Sequence, residues 1–116
     1  YSTASDVAKL LKESLSDKDY YKIFTMPTYV STKTERHPDG IKLSNDVISA
    51  FNKYKRKNFK VLGGKFGYTQ EAGKSIAVLA EKNGKKYIVI TLGCYNKGGN
   101  HGHMDDVLTA MKKISG

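Results

Sequence analysis

The sequence predicts an α+β fold, in which an antiparallel sheet of about three main strands is packed with N- and C-terminal helices. Two of the observations behind this prediction are apolar stripes at helical spacing, one opening the chain and one closing it. The third is the pair Asn83-Gly84, which separates two apolar runs. Asn and Gly readily adopt the positive φ that a type I′ turn requires, so this pair is a strong hairpin signal.

The first helix is predicted from a cap and an apolar stripe. Ser2 or Thr3 can cap it, and Asp6 follows in the first turn, where a carboxylate interacts favourably with the helix dipole. The stripe expected to face the core consists of Val7, Leu10, Leu11 and Leu15.

The middle of the chain predicts short elements. Ser16-Asp17 can end the first helix or cap a short turn that follows, and Pro27 stops any helix there. Thr28–Thr34 is rich in β-branched residues, which predicts a strand, and Ile41–Leu43 can pair back after a turn at His37-Pro38-Asp39-Gly40. Ser44 or Asn45 can then cap a helix with a buried face of Val47, Ile48 and Phe51.

The last part contains the three main strands, predicted at Val61–Thr69, Ser75–Ala80 and Tyr87–Leu92. The third is a near-continuous apolar run, typical of a strand buried on both faces. The unpaired main-chain groups of its outer edge would be prone to pair with another strand, which suggests a missing strand or self-association through Tyr87–Leu92. The closing helix would bury Met104, Val107, Leu108, Met111 and Ile114.

Length and composition set outer limits. The chain has 116 residues, the size of one domain, and a formal net charge of +9, which favours acidic partners. The single cysteine, Cys94, excludes an internal disulfide. The chain starts at Tyr1 without a basic-then-apolar leader, which leaves open a mature protein, an engineered chain or a proteolytic fragment.

One stretch carries a recognisable motif. Residues 64–75 contain Lys65-Phe66-Gly67-Tyr68-Thr69, followed by two further residues and Ala72-Gly73. This resembles the third motif of the penicillin-binding serine D-alanyl-D-alanine carboxypeptidases, which reads Lys-Thr-Gly, an aromatic residue or His, Thr, two variable residues and Ala-Gly. The opening Tyr1-Ser2-Thr3-Ala4-Ser5-Asp6 resembles the Ser-Thr-Ala-x-Asp helix start that precedes this motif in the family. The resemblance is strong over residues 1–11 and 61–93 and loose over residues 25–60.

The resemblance implies that residues 1–116 are a single domain or a fragment, the C-terminal part of a β-lactamase/transpeptidase-like fold. The family's nucleophile motif Ser-x-x-Lys and its helper Ser-x-Asn do not occur in the 116 residues, so both are expected upstream of Tyr1. The chain alone is therefore expected to be inactive, and no cofactor is implied.

The resemblance also implies roles for the motif residues. Lys65 would direct positive charge towards the substrate carboxylate and the proton network, and the backbone N–H of Tyr68 would be an oxyanion donor. The substrate would be bound by Lys65, Phe66, Gly67, Tyr68 and Thr69. Phe66 stands where the family has Thr and cannot donate a hydroxyl hydrogen bond. Losing a bond to a charged acceptor costs about 1.5–3 kcal/mol, so weakened or altered activity is expected even in the full-length protein. The phenyl ring is also expected to add bulk where substrate would lie.

The implied function is that of a serine hydrolase of the bacterial envelope, extracytoplasmic or secreted, that acts on or binds peptidoglycan stem peptides. Its partners would be a stem peptide or a β-lactam and the upstream part of the same catalytic domain. One alternative is a degenerate, non-catalytic module that binds peptidoglycan or a protein.

The other alternative is a basic nucleic-acid-binding domain, suggested by the cations of Lys53–Lys60 around Tyr54 and Phe59. Such runs are more often solvated helix faces, so no nucleic-acid partner is expected. The residues Cys94, His101, His103 and Asp105 match no standard metal spacing, and no metal is predicted.

Overall fold

The computed structural model describes residues 2–54, 58–95 and 102–114. It is an α+β fold with a three-stranded antiparallel sheet and helices, as the sequence predicts. In chain order the elements are α1 (Ala4–Ser14), α2 (Lys18–Phe24), β1 (Thr28–Val30), β2 (Lys42–Ser44), α3 (Asp46–Phe51), β3 (Lys60–Thr69), β4 (Gly73–Lys82), β5 (Lys85–Cys94) and α4 (Gly102–Lys112).

The main sheet has the strand order β3-β4-β5. Lys82 pairs with Lys85 across a two-residue turn, with φ of 54° at Asn83 and 77° at Gly84. These positive φ angles confirm the hairpin that the Asn-Gly pair predicts. The pairing of β3 with β4 shifts between Val61 and Gly63, at a bulge that precedes the motif residues.

Short polar side chains begin the first three helices. The Thr3 hydroxyl accepts a hydrogen bond from the Asp6 N–H at 3.1 Å, and Asp17 accepts from the N–H groups of Asp19 and Tyr20. Asn45 caps α3 through its Oδ1 atom. Each cap satisfies N–H groups that have no partner inside the helix. The predicted starts of α1 and α3 are confirmed, and Asp17 caps a short helix, α2, where a short turn was predicted.

The hairpin of β1 and β2 is shorter than predicted. Tyr29 pairs with Leu43, and the ladder ends at the pair of Val30 with Lys42. All residues of both strands are exposed, so the ribbon gains little stability from apolar burial and does not continue beyond these pairs.

One face of the main sheet is packed against α3 and α4. Val61, Ala80 and Tyr87 form one cross-strand row on this face, and Val78 pairs with Val89 in the next row. Phe51 is fully buried here, and its truncation to Ala would cost about 3–5 kcal/mol. The core cluster consists of Val47, Ile48, Phe51, Phe59, Val61, Ile76, Val78, Ala80, Met104, Val107 and Met111. The apolar stripe predicted for α4 is therefore confirmed.

Helix α1 packs beside β5 on the opposite face, where a cavity of about 490 Å³ lies between the helix and the paired residues Leu79 and Ile88. Leu11 is buried, whereas Leu10 is 68% exposed. Including Leu10 in the core-facing stripe was wrong. Adjacent residues of a helix point about 100° apart, and it is Leu11 that points towards the sheet.

Strand β5 is less buried than predicted. Tyr87 to Thr91 are half-buried and Leu92 is exposed, so the prediction of burial on both faces was wrong. Within the described part of the chain β5 has one strand neighbour, β4, and its outer edge is unpaired. An apolar run in the sequence does not show how many elements pack against a strand, so it did not reveal that β5 is only partly covered.

A buried lysine joins the sheet to the end of α4. The Lys82 ammonium donates hydrogen bonds to the carbonyl oxygens of Met111 at 3.1 Å and Ile114 at 2.6 Å. The last carbonyls of a helix have no intrahelical donor, so this cation stabilises the helix terminus.

Candidate functional site

The candidate site lies on β3, an outer strand of the main sheet. Lys65 pairs with Ala77, Phe66 with Ile76, and Gly67 with Ser75. Because side chains alternate along a strand, Phe66 shares the face of the core and Lys65 and Gly67 share the other face. The five predicted site residues are thus consecutive on one strand but divided between its two faces.

The side chain of Lys65 is exposed, and its Nζ donates a hydrogen bond to the carbonyl oxygen of Phe66 at 2.7 Å. An ammonium group has three donors, so this bond leaves further donors for an anion. The structure therefore puts a positive charge at the surface beside the motif strand, rather than inside the core.

The outer edge of β3 can be identified from two carbonyl groups. The Gly64 oxygen accepts from Asn45 Nδ2 at 3.3 Å, and the Phe66 oxygen accepts from Lys65 Nζ. Main-chain N–H and C=O groups alternate in direction along a strand, so residues 64, 66 and 68 direct theirs away from β4. The Tyr68 N–H accordingly faces the outer edge. The Tyr68 side chain is 68% exposed.

Phe66 is half-buried and packs against the core cluster. Its ring centroid lies 5.1 Å from that of the buried His103 on α4. The phenyl ring thus contacts α4, on the opposite face from the Lys65 side chain. On this face the ring lies away from the Lys65 side chain, and its effect on a bound substrate stays a prediction. It also supplies no hydroxyl group at this position.

The β3–β4 turn uses Thr69 for its own geometry. The Thr69 hydroxyl accepts a hydrogen bond from the Ala72 N–H at 3.0 Å, and Gly73 has a φ of 72°. The Tyr95 hydroxyl donates to the Glu71 carbonyl at 2.6 Å, which ties the turn to the end of β5. A cavity of about 120 Å³ adjoins the turn and is lined by Tyr68, Gln70, Gly73, Lys74, Cys94 and Tyr95.

Sequence reasoning identified Asn45 only as a candidate helix cap and missed its contact with the motif strand.

Residues 63 and 64 of β3 lie too close to neighbouring elements to carry side chains. A Cβ on Gly63 would overlap the Phe24 carbonyl oxygen, and one on Gly64 would lie 2.5 Å from Val47 Cγ1. The adjacent glycines before Lys65 were the available signal, because such a pair in a strand indicates close approach of another backbone.

The structure does not support a metal site at the Cys and His residues near the end of the chain. Cys94 is half-buried, Asp105 is exposed, and His101 lies outside the described residues. Over residues 2–54, 58–95 and 102–114, no group of three or more His, Cys, Asp or Glu could hold a metal ion.

The basic run is also only partly described, since residues 55–57 fall outside the described ranges. Tyr54 and Phe59 pack near Phe51, with ring centroids 5.8 Å and 6.3 Å from its ring. Phe59 is buried in the core, so it presents no face for stacking on a base. Burial raises the pKa of Tyr54, and the negative charge of Asp105 raises it further.

Comparison with solved structures gives the same fold. A D-alanyl-D-alanine carboxypeptidase from Mycobacterium tuberculosis H37Rv superposes with a TM-score of 0.72 at 20% sequence identity, over 96% of this chain and 39% of that one. A structure described as an evolved penicillin-binding protein homologue from the same species gives 0.70 at 18% identity, over 96% and 40%. The chain thus spans about two fifths of the length of these proteins.

No curated protein matches the chain. Among the described helices, none is both long enough and apolar enough to cross a bilayer. A family model described as D-alanyl-D-alanine carboxypeptidase, peptidase S11, matches residues 1–96, which is most of the sequence and includes the whole motif strand. The chain therefore belongs to the D-alanyl-D-alanine carboxypeptidase family, peptidase S11.

Proposed function

We propose that this chain forms the substrate-binding wall of a serine-type D-alanyl-D-alanine carboxypeptidase-like protein that acts on or binds peptidoglycan stem peptides. The observation that carries the proposal is the exposed Lys65 ammonium beside an outer strand edge at which Phe66 and Tyr68 direct their main-chain groups outward. An extended peptide can add to such an edge through main-chain hydrogen bonds.

Each motif residue has a role in this proposal. Lys65 attracts the terminal carboxylate of the stem peptide and supports the proton network of the reaction. The Tyr68 N–H donates to the oxyanion that develops on the carbonyl oxygen under attack. Phe66, Gly67 and Thr69 complete the wall along which the peptide lies.

The nucleophile belongs to the upstream part of the same catalytic domain, before Tyr1. Its serine oxygen forms a bond to the carbonyl carbon of the substrate, D-alanine leaves with a proton, and water then hydrolyses the acyl ester. Residues 1–116 are then a fragment of that domain and inactive alone. The coverage of about two fifths of the solved relatives supports this division. Among the described residues the outer edge of β5 at residues 87–92 has no strand partner, so it offers a surface for the upstream part, and for self-association where that part is missing.

Peptidoglycan lies outside the cytoplasmic membrane, so the proposed substrate implies an extracytoplasmic location in the cell envelope or secretion. The formal charge of +9 is compatible with anionic wall polymers.

A second candidate is a non-catalytic relative that retains the fold in order to bind peptidoglycan or a protein partner. Phe66 favours it, because the ring packs against His103 and offers no hydroxyl to a substrate carboxylate. The two candidates share the binding edge and differ in whether a covalent intermediate forms.

Labelling of the full-length protein with a fluorescent β-lactam tests the proposal. We expect a covalent adduct on a serine upstream of Tyr1, located by mass spectrometry and reduced by excess stem peptide that ends in D-alanyl-D-alanine. Binding to purified peptidoglycan without any adduct would support the non-catalytic candidate. The absence of both an adduct and peptidoglycan binding would overturn the enzyme and the peptidoglycan-binding module, and would leave only a module that binds a protein partner.

A further inference from the structure

Asn45 joins three elements next to the motif strand. Its Nδ2 donates hydrogen bonds to the carbonyl oxygens of Phe24 and Gly64, both at 3.3 Å. Its Oδ1 accepts from the N–H groups of Val47 and Ile48, both at 3.1 Å. The side chain thereby links the end of α2, the start of α3 and β3 through separate donor and acceptor atoms.

The two glycines of β3 make this link possible. Gly63 lies against the Phe24 carbonyl, and Gly64 lies between Val47 and the Ala77 carbonyl. Without side chains at these positions α2 and α3 come close enough for one amide group to reach both carbonyl oxygens. The half-buried position of Asn45 keeps water from replacing these bonds freely.

The contact has a defined place on the edge of β3. Gly64 is the outward-facing residue immediately before Phe66, so the Asn45 amide occupies the edge directly beside the candidate site. An incoming peptide that pairs with Phe66 and Tyr68 would meet the Asn45 amide at Gly64. Lys65 lies between Gly64, whose carbonyl oxygen accepts from Asn45, and Phe66, whose carbonyl oxygen accepts from the Lys65 ammonium.

We propose that Asn45 is a positioning residue that fixes the motif strand at Gly64 and sets the point at which the edge becomes available to an extended peptide. This inference rests on the proposed function in one respect, the pairing of substrate with the outer edge of β3. The hydrogen bonds that Asn45 donates position the strand, and those that it accepts cap α3.

Asn45→Asp and Asn45→Ser separate these two roles, because both retain an oxygen acceptor that can cap α3 and both lose the amide donors. Asp17→Ala is the matched control. It removes the cap of α2 and so lowers stability without touching Gly64. All variants are made in the full-length protein and compared at a temperature at which each is fully folded.

Hydrogen–deuterium exchange measures the effect on the strand without reference to activity. Lys65 and Gly67 direct their N–H groups towards β4, and Val78 and Val89 provide reference amides in the β4–β5 ladder. We expect both Asn45 variants to exchange about tenfold faster at Lys65 and Gly67, the effect of losing about one hydrogen bond. The reference amides should not change, and Asp17→Ala should leave all four amides unchanged.

The rate of acylation by a labelled β-lactam measures the effect on the site. We expect it to fall about tenfold in both Asn45 variants and to stay within about twofold of the unmodified protein in Asp17→Ala. Unchanged exchange at Lys65 and Gly67, or an equal loss of acylation in Asp17→Ala, would overturn the positioning role. If the unmodified protein is not acylated at all, the proposed enzymatic function fails, whereas the exchange comparison still decides whether Asn45 holds the strand.

Discussion

The ring of Phe66 lies against the imidazole of His103, with centroids 5.1 Å apart and ring planes inclined by 58°. This contact connects the motif strand to the first turn of α4 across 37 residues of chain. A tilted aromatic pair of this kind contributes about 0.5–1.5 kcal/mol beyond its apolar burial. The position where the family has a hydroxyl is therefore used here for packing.

Replacing Phe66 by Thr separates packing from chemistry. We expect Phe66→Thr to lower the melting temperature, because a half-buried ring and its contact with His103 are lost. If the missing hydroxyl limits the reaction, acylation of the full-length protein by a labelled β-lactam should rise by about tenfold to a hundredfold. Phe66→Leu is the control, since it keeps an apolar side chain without a hydroxyl. Equal acylation rates in the two variants would contradict a role for the hydroxyl.

Replacing Lys65 should affect function and leave folding almost unchanged. Its side chain is exposed, so Lys65→Met should change the free energy of unfolding by less than about 0.5 kcal/mol. Acylation of the full-length protein should fall by at least tenfold, because the positive charge beside the edge is removed. Lys60→Met alters another exposed lysine of β3, distant from the motif, and should leave acylation unchanged. Comparable losses in both variants would indicate a general charge effect instead of a site.

A methyl group at Gly64 should destabilise the fold. The added Cβ would lie 2.5 Å from Val47 Cγ1 and 2.7 Å from the Ala77 carbonyl oxygen, so a strand or helix must shift. Overpacking of this kind costs about 1–3 kcal/mol, measurable as a lower denaturant midpoint. Gly67→Ala provides the comparison on the same strand, because its nearest neighbour, Ser75 Cβ, lies 3.9 Å away. The prediction is wrong if the two variants unfold at the same denaturant concentration.

Tyr54 should make the fold sensitive to alkaline pH. Burial, and then the charge of Asp105, raises the pKa of Tyr54 above the ordinary tyrosine value of 10.0. The folded state therefore retains the Tyr54 proton more tightly than the unfolded state. The resulting stabilisation is fully present below pH 10.0 and is lost as the pH rises through the higher pKa of the folded state.

Urea denaturation between about pH 8 and pH 11 measures this effect against Tyr54→Phe, which cannot titrate. The unmodified protein should lose more stability than the variant over this interval. Parallel curves for the two proteins would show that Tyr54 has the same pKa in the folded and unfolded states.

Local sequence signals predicted the elements whose causes are local. The Asn83-Gly84 turn depends on the φ angles of those two residues, and the caps at Thr3 and Asp17 depend on N–H groups two or three residues away. Such features are fixed within a few residues of chain, so a single sequence contains the necessary information.

The features that escaped prediction depend on distant parts of the chain. The donor partners of Asn45 are 21 and 19 residues away, at Phe24 and Gly64, and no short pattern connects them. The exposure of Leu10 and the half-burial of β5 depend on which elements pack nearby, and an apolar pattern does not specify them. The sequence predicted the strand that carries the motif, but the face on which Phe66 packs became clear only from its contact with α4.

The buried ammonium of Lys82 makes the terminal turn of α4 dependent on the registry of a hairpin far from it in sequence. Lys82 is the last residue of β4, so its direction is determined by the alternation of side chains along that strand and by the pairing of β4 with β3. A slip of one residue in this pairing would reverse the faces of β4 and withdraw the cation from the oxygens of Met111 and Ile114. An added residue in the β3–β4 turn that shifts this pairing would therefore loosen the helix that supports Phe66, even though Lys82 lies at the opposite end of β4 from that turn.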